Sequence, residues 1–276
     1  MKYLFLDIDG TLYSSKTFSV PKSASDAIKE ARRNGHKVFL CTGRSRSETG
    51  AFLNYPVDGF VFASGAHCIA EGTTVFDHPI PTETVHEIEH LIHSLGYGLL
   101  VGCRDTAYTD ARSFAMLGEY NGGPGASTEE RKEAALKQGF IEGTWNEADP
   151  AYKLGALTDH NGSFESLIQA LPVPYQLIIT IPFSGGDFAE ITDSTITKTC
   201  GIKKILESYG ADLKDAIAIG DSGNDVDMIR SAGLGIAMGN GFAEAKQAAD
   251  WVTGDIDEDG IRNAFIYAGV IRGEQS

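Results

Sequence analysis

Two acidic side chains, Asp7 and Asp9, stand two residues apart at the end of the first apolar run, in the motif Asp-Ile-Asp-Gly-Thr over residues 7–11. Residues two apart on an extended chain point to the same side, so the two carboxylates can converge, and Gly10 lets the backbone turn and present its N–H to an anion. Convergent carboxylates are unfavourable unless a cation neutralises them, and hard oxygen ligands favour Mg²⁺. The motif is also typical of a helix N-cap or an Asx turn, so alone it leaves both interpretations open.

A second acidic motif, Gly-Asp-Ser-Gly-Asn-Asp over residues 220–225, follows another apolar run and opens a predicted helix. Its backbone N–H groups and the carboxylate of Asp221 can frame a site for a metal and a phosphate, whereas a capped helix start is the structural alternative. Ligands of open α/β sheets bind beyond the carboxyl ends of the strands. Two acidic motifs, each at such an end, therefore favour one shared site.

Two further motifs carry groups that suit phosphate oxygens. Thr42, Gly43 and Arg44 end the second predicted strand and supply a hydroxyl, a backbone N–H and a planar cation. A strand-to-helix turn is the simpler interpretation of these three residues alone. Lys198 opens a predicted helix over 198–209, where a positive charge opposes the helix dipole and so indicates an anionic partner. A solvated surface lysine is the alternative there.

The elements that carry these motifs alternate between short apolar strands and helices, which predicts an α/β fold with a parallel sheet. Strands are predicted over 2–7, 37–41, 59–63, 215–220 and 234–238, a hairpin over 69–76, and further helices over 21–34, 224–231 and 258–271. This part of the chain is expected to form the catalytic core, residues 1–82 and 186–276.

Residues 83–185 have a different pattern and are predicted to form an inserted α+β domain that covers the site and selects the substrate. Its predicted elements are helices over 82–95 and 162–171, strands over 97–102, 107–109, 152–157 and 175–181, and a Gly-rich loop over 121–127. His86, His90 and His93 have helical spacing that could imitate a metal-binding face. Because no cysteine or acidic pattern accompanies them, a helix face is the favoured interpretation.

The composition excludes several classes of partner. The 276 residues carry 23 basic and 38 acidic side chains, a net charge of −15, which repels nucleic acid and anionic membranes but leaves small phosphorylated molecules open. The four cysteines show no metal-ligand spacing and predict reduced thiols in a cytoplasmic protein. The longest uncharged stretch, 166–186, contains three prolines, so no membrane span is predicted. The oligomeric state stays open.

In this order, the four motifs resemble those of the haloacid dehalogenase superfamily of phosphatases. The segments Ala-Met-Gly-Asn-Gly over 237–241, Ala-Asp at 249–250 and Glu-Asp-Gly at 258–260 are similar to landmarks of its Cof-type branch. The resemblance covers nearly the whole chain and implies a Rossmann-like core with an inserted cap. Two positions depart from the pattern: Ser64 stands in an asparagine place, and Thr199 stands where glycine usually follows the lysine. Lys203 and Lys204 are therefore kept as alternatives to Lys198.

The resemblance also implies a role for each motif residue. Asp7 would be the nucleophile that forms an aspartyl phosphate, and Asp9 the general acid and base. Mg²⁺ would be held by the Asp7 carboxylate, the Asp9 backbone carbonyl and Asp221. The groups implied to bind the transferring phosphate are those of Gly10, Thr42, Gly43, Arg44, Lys198 and Asn224. Asp225 would orient Lys198 or a metal-bound water.

The function expected from this resemblance is a Mg²⁺-dependent phosphatase that acts on small phosphorylated metabolites, with sugar phosphates as the expected class. A phosphomutase or phosphotransferase is the enzymatic alternative, since it shares the first half of the reaction. A phosphoacceptor signalling domain is an alternative of another class, but its acceptor would follow the third strand, and it leaves the inserted domain unexplained.

Overall fold

The computed structural model describes residues 1–122, 125–159, 162–179 and 186–273. They form two compact units: the first comprises Met1–Gly43, Tyr55–Asp77 and Thr197–Ser276, and the second comprises Arg44–Asn54 and His78–Ile196. In chain order the strands are β1 Tyr3–Leu6, β2 Lys37–Cys41, β3 Gly59–Phe62, β4 His67–Ala70, β5 Thr73–Asp77, β6 Gly98–Cys103, β7 Ala107–Thr109, β8 Phe140–Glu142, β9 Ala151–Thr158, β10 Tyr175–Ile179, β11 Asp187–Asp193, β12 Ala216–Gly220, β13 Leu234–Ala237 and β14 Trp251–Val252. The helices are α1 Lys22–Arg33, α2 Thr82–Ser94, α3 Ala111–Gly122, α4 Thr128–Lys137, α5 Glu165–Ala170, α6 Lys198–Ser208, α7 Val226–Ser231, α8 Ala243–Ala248 and α9 Gly260–Tyr267.

The first unit is built on an eight-stranded sheet in the order β14-β13-β12-β1-β2-β3-β4-β5. The first six strands are parallel, and β4 and β5 add an antiparallel edge. Strand β1 is apolar throughout because it is buried, and Phe5 packs with Phe39 of β2 and with Ile202 and Ile205 of α6. The α/β fold with a parallel sheet is therefore confirmed.

The position of β1 decides where the site can form. It pairs with β2 on one side and with β12 on the other, so that Leu6 lies opposite both Leu40 and Ile219. Strands β2 and β3 lie in sequence order on one side of β1, and strands β12, β13 and β14 lie in sequence order on its other side. Such a switch in strand order opens a crevice at the carboxyl ends of the two strands. The residues after β1, β2 and β12 consequently meet at one edge of the sheet.

The second unit contains a six-stranded sheet in the order β10-β11-β9-β6-β7-β8. Helices α2 and α5 cover one face, where Ile88 and Leu167 join a core that includes Val101 and Leu154. Helix α3 lies on the other face, where Leu117 packs with apolar residues of β6 and β9. The central strand β9 is buried along its whole length because helices or other side chains cover both of its faces.

Two helices of this unit differ from the sequence prediction. The loop predicted over 121–127 is shorter, because α3 extends to Gly122 and α4 begins at Thr128. Residues 123–124 and the predicted strand positions 180–181 lie outside the described residues. Helix α4 begins with a capping box: Ser127 Oγ accepts the N–H of Glu130, and the Glu130 side chain accepts the N–H of Ser127. The Ser-x-x-Glu pattern was a usable sign of this helix start.

The segment 44–54 packs with the second unit, although the predicted boundaries place it within residues 1–82. Ser47 Oγ donates to the carbonyl of Cys103 at 2.9 Å, and Arg46 pairs with Asp105 at 2.5 Å. The buried Lys153 of β9 contacts Glu48 of this segment at 3.1 Å. These partners are distant in sequence, so no local pattern marks the segment as part of the second unit.

Lys153 is a charged residue in a buried position, which makes it a sensitive point of the second unit. It lies between Glu190 at 2.6 Å and Glu48 at 3.1 Å, and its side chain is 2% exposed. Burial by itself lowers the pKa of Lys153, but Glu190 and Glu48 raise it above its ordinary value. The lysine is therefore held in its charged form by the two carboxylates.

We expect Lys153→Met to lower the free energy of unfolding by about 3–5 kcal/mol, because removing one partner leaves uncompensated buried charge. The measurement is urea unfolding followed by circular dichroism. Lys214→Met is the matched control, since Lys214 forms an exposed pair with Asp212, and solvent screening leaves such a pair with little effect on stability. Equal, small effects of the two substitutions would contradict a structural role for Lys153.

Candidate active site

Asp7 continues the sheet beyond the end of β1. Its N–H donates to the carbonyl of Ile219 at 3.0 Å, and its side chain is buried. The chain then turns: Gly10 has φ +87, and a Cβ on it would lie 2.4 Å from Oδ2 of Asp221. Glycine is needed here for both conformation and space, and its small size lets the turn after β1 approach Asp221 after β12. Thr11 Oγ1 donates to Asp221 Oδ1 at 2.8 Å and joins the two motifs directly.

Lys198 lies at the centre of the cluster. Its Nζ contacts Asp7 Oδ1 at 2.6 Å and Asp225 Oδ1 at 2.6 Å, and it lies 3.5 Å from Asn224 Oδ1. The side chain is fully buried. The motif at residues 7–11, the motif at residues 220–225 and Lys198 therefore converge. About two hundred residues of chain separate the first motif from the other two.

The start of α6 positions this lysine. Thr197 caps the helix by accepting the N–H of Cys200, and the turn Ala63–Gly65, with φ values of 46, 53 and 114, packs against it. A Cβ on Gly65 would lie 2.2 Å from the carbonyl oxygen of Thr197, and one on Gly201 would lie 2.9 Å from Cα of Gly65. Close contact between the turn and the helix start therefore requires glycine at both positions.

Asp225 organises the loop after β12. Its Oδ2 accepts the N–H groups of Asp221 and Ser222 at 3.0 and 3.1 Å, while its Oδ1 accepts from Lys198. A Cβ on Gly220 would lie 2.5 Å from Cβ of Asp225, so the loop can fold over this carboxylate only with glycine there. Both oxygens of Asp225 are used to hold the loop and the lysine.

The electrostatics of the cluster are dominated by carboxylates. Burial raises the pKa of Asp7 well above its ordinary value, and Asp225 raises it further, although Lys198 opposes the shift. Burial and Asp225 raise the pKa of Asp221 to about 6. Burial by itself lowers the pKa of Lys198, but Asp225 and Asp7 raise it above its ordinary value. The cluster therefore holds one lysine against three buried carboxylates.

This donor set fits a divalent cation. Ligand atoms of Asp7, Asp221 and Asp225 lie within 4.8 Å of one another. Three carboxylates and one ammonium leave a formal charge of −2, which one divalent ion balances. Lys198 donates to Oδ1 of Asp7, and Thr11 donates to Oδ1 of Asp221. The Oδ2 atom of each aspartate lies outside these hydrogen bonds. The residues best suited to hold the ion are thus Asp7 and Asp221, with oxygen donors of the kind Mg²⁺ prefers.

The carboxylate of Asp9 is exposed and does not join this cluster. The third carboxylate of the cluster belongs to Asp225, which lies beside the predicted ligands Asp7 and Asp221. Asp9 nevertheless lies near enough for its charge to raise the pKa of both Asp7 and Asp221. Its predicted roles, a backbone carbonyl ligand and an acid–base carboxyl group, stay predictions.

The remaining predicted phosphate ligands are placed as follows. Thr42 is buried at the end of β2, its N–H donating to Val61 and its carbonyl accepting from Ser64. Gly43 is the last residue before the segment 44–54. Arg44 belongs to the second unit, where its Nη1 donates to the carbonyl of Glu48 at 3.3 Å. The phosphate contacts of these residues stay predictions.

Other candidates are explained by their local contacts. Lys204 pairs with Glu207 at 2.9 Å and Lys203 is exposed, so the lysine that reaches Asp7 is Lys198. His86 contacts Glu147 at 2.9 Å on the surface of α2. Among the described residues, the three-residue group suited to a metal consists of aspartates. The interpretation of the histidines as a helix face agrees with these contacts.

Two polar residues of the site were not assigned a role from the sequence. Thr11, which binds Asp221, stands inside the first motif, and its hydroxyl four residues after Asp7 was an available sign. Asn240 donates from Nδ2 to the carbonyl of Gly10 at 2.7 Å. Its partner is 230 residues away in sequence, so no local pattern could have identified the contact.

No helix in the described part of the chain combines the length and apolar character needed to cross a membrane.

Comparison with known proteins agrees with this geometry. Residues 4–265 match the family of haloacid dehalogenase-like hydrolases. The chain is 27% identical to YkrA of Bacillus subtilis (strain 168), covering 98% of this chain and 99% of YkrA. It is 25% identical to the pyridoxal phosphate phosphatase YbhA of Escherichia coli (strain K12), covering 98% of this chain and 99% of YbhA. A solved structure of a sugar phosphatase of HAD subclass IIB superposes with a TM-score of 0.78 at 26% identity, with 98% of this chain and 100% of that chain covered.

The family match spans nearly the whole sequence, and the four motifs that suggested the resemblance include the residues of the buried cluster around Lys198. The pyridoxal phosphate phosphatase and the sugar phosphatase described above are both named for phosphatase activity. The chain therefore belongs to the haloacid dehalogenase-like hydrolases and is a phosphatase of their Cof-type branch.

Proposed function

We propose that this phosphatase hydrolyses small phosphorylated metabolites, with sugar phosphates as the substrate class, through an aspartyl phosphate on Asp7 in the presence of Mg²⁺. The observation that carries the proposal is the buried contact of Lys198 with both Asp7 and Asp225, next to Asp221. Enzymes of this family generally use a divalent metal, and the aspartates supply the matching oxygen donors. A relative described as a sugar phosphatase supports the substrate class.

The first half-reaction follows from the contacts of Asp7. Lys198 holds Asp7 through Oδ1, and an oxygen of this carboxylate attacks phosphorus. As the Asp7–phosphorus bond forms, the bond from phosphorus to the substrate oxygen breaks, and Asp9 donates a proton to that leaving oxygen. Lys198 and Thr42 donate hydrogen bonds to the transferring oxygens. A bound divalent ion would lower the negative charge that an incoming phosphate meets.

In the second half-reaction Asp9 acts as a base. It removes a proton from water, the water oxygen forms a bond to phosphorus, and the bond from phosphorus to Asp7 breaks. The products are inorganic phosphate and the original carboxylate. In a phosphomutase a second substrate hydroxyl would take the place of water, so the two activities differ in the acceptor alone.

The core motifs face phosphate and metal, and they do not distinguish one organic group from another. We assign that selection to the predicted cap, residues 83–185, which are part of the second unit. Function is decided by such site-specific residues rather than by the fold, and for this reason the individual metabolite has to come from a substrate panel.

A phosphate-release assay tests the proposed function. With a panel of sugar phosphates, nucleotides and cofactor phosphates, we expect inorganic phosphate from substrate alone, without a bisphosphate activator. EDTA should reduce the activity to background, and Mg²⁺ should restore it, whereas Ca²⁺ should restore it poorly because its larger, looser shell misplaces the in-line geometry. Circular dichroism of the EDTA-treated protein is the control for folding.

Two results would overturn parts of the proposal. Full activity in a sample verified to be metal-free would refute the metal requirement. Transfer to a second sugar hydroxyl, without release of inorganic phosphate, would replace the hydrolase by a phosphomutase.

A further inference from the structure

We propose that Asn240 is a positioning residue that sets the separation between the turn after β1 and the Asp221 loop, and thereby the affinity of the site for a divalent cation. The inference rests on the proposed metal-dependent function. Asn240 is exposed, yet both ends of its side chain are used. Nδ2 donates to the carbonyl of Gly10 at 2.7 Å, and Oδ1 accepts the N–H of Ile256 at 2.8 Å.

The two contacts define the orientation of the amide. A backbone carbonyl accepts a hydrogen bond, and a backbone N–H donates one. The amide nitrogen must therefore face Gly10 and the amide oxygen must face Ile256. An asparagine satisfies both partners, whereas an aspartate of the same shape keeps the contact with Ile256 and loses the donor to Gly10.

The loop that contains Asn240, residues 238–242, also binds the Asp221 side of the site. The N–H of Phe242 donates to the carbonyl of Asp221 at 2.7 Å, and a Cβ on Gly241 would lie 2.9 Å from that oxygen. The loop is held to the sheet by Met238, whose N–H donates to the carbonyl of Gly220 at 2.9 Å. Loop 238–242 thus has one hydrogen bond to each of the two turns that carry the aspartates.

The two turns meet where the loop binds them. The strand ladder fixes the chain as far as Asp7 and Gly220 through the pairing of β1 with β12. Beyond these points the separation depends on hydrogen bonds between the turns. Gly10 lies against the Asp221 carboxylate so closely that a Cβ would stand 2.4 Å from Oδ2, the oxygen suited to a metal. A shift of the Gly10 carbonyl would therefore change how closely the turn after Asp7 packs on the Asp221 carboxylate.

Residues that orient metal ligands commonly change metal affinity by about 10–100-fold when substituted. Asn240 contacts the backbone of the turn and neither metal ligand, so we expect the lower part of this range. The effect should lie in cation binding, and kcat at saturating Mg²⁺ should stay within about threefold of the wild-type value, because the side chains of Asp7 and Lys198 are unchanged.

The test is direct titration of the EDTA-stripped protein with Mn²⁺, followed by electron paramagnetic resonance of the free ion, with Mg²⁺ as competitor. We expect Asn240→Asp and Asn240→Ala each to raise the Kd for Mn²⁺ about tenfold. The matched control is Asn34→Ala. Asn34 Nδ2 also donates to a distant carbonyl, that of Val270 at 2.9 Å, but it precedes β2 and so lies at the opposite edge of the sheet.

Each outcome has a defined meaning. An unchanged Kd in both Asn240 variants, or an equal shift in Asn34→Ala, overturns the role of Asn240 while the proposed function stands. Failure of the wild-type protein to bind Mn²⁺ overturns the metal-dependent function and this inference with it. Thermal unfolding of all variants shows that they are folded, and the Asn240 and Asn34 substitutions should lower Tm to a similar, small extent.

Discussion

We expect Asp7→Asn to abolish turnover, with kcat reduced at least about 10⁴-fold, because an amide cannot form the aspartyl phosphate. The fold should remain intact. The raised pKa of Asp7, caused by burial and by Asp225, means that the folded protein disfavours the charged carboxylate. Replacing that charge by a neutral group of the same shape therefore leaves Tm in the absence of metal unchanged or higher.

The measurement is steady-state phosphate release together with thermal unfolding. Asp212→Asn is the matched control, because Asp212 is an exposed aspartate that pairs with Lys214, and its activity should equal that of the wild type. A kcat for Asp7→Asn within about tenfold of the wild-type value would exclude Asp7 as the nucleophile, since the loss of a covalent route costs far more.

Lys198→Met should impair both catalysis and folding. Removing a charged group that stabilises the transferring oxygens lowers kcat by about 10²–10³-fold. The same substitution leaves the buried Asp7 and Asp225 without their cation, and we expect it to lower the free energy of unfolding by about 3–5 kcal/mol. A divalent ion should recover part of this stability but not the rate, because it neutralises carboxylates without replacing the lysine donor.

The control for this prediction is Lys203→Met, an exposed position in the same helix. It should leave kcat unchanged and alter stability by less than about 0.5 kcal/mol. Since Lys203 is an alternative to Lys198 in the motif, the pair also decides between the two assignments. Loss of activity in Lys203→Met with an active Lys198→Met would reverse the assignment.

The convergence of the acidic motifs could be predicted from sequence because it depends on few physical rules. An apolar run that ends in Asp7 and another that ends before Asp221 are both typical of buried parallel strands, and parallel strands end at the same edge of a sheet. The family resemblance implied that Lys198 binds the transferring phosphate, but the contact between Lys198 and Asp7 was not predicted. Its geometry depends on glycines at 65 and 201 that let a turn approach the helix start, and a single sequence does not show such packing.

Contacts between distant segments were beyond the sequence patterns. The segment 44–54 begins with Arg44, one of the predicted phosphate ligands, but its side chains pair with Asp105 and Lys153 of the second unit. Asn240 stands in the segment 237–241 that supported the family resemblance, but no role was assigned to it, and its Gly-Asn-Gly pattern by itself is typical of turns. In both cases the partners are backbone or charged groups far along the chain, which neither periodicity nor spacing reveals.

The central claim is that phosphate passes through a covalent bond to Asp7, and chemical trapping tests it directly. p-Nitrophenyl phosphate is a suitable substrate because its leaving group departs without a proton from the enzyme. In Asp9→Asn, which lacks the base for the second step, the aspartyl phosphate should accumulate. Acid quenching followed by borohydride reduction converts an aspartyl phosphate to homoserine, which peptide mass spectrometry locates.

We expect homoserine at position 7 in Asp9→Asn treated with substrate, and none there without substrate or in the Asp7→Asn, Asp9→Asn double variant. Homoserine at Asp221 or Asp225, or its absence from position 7 while the nitrophenol burst matches the enzyme concentration, would contradict the covalent role of Asp7.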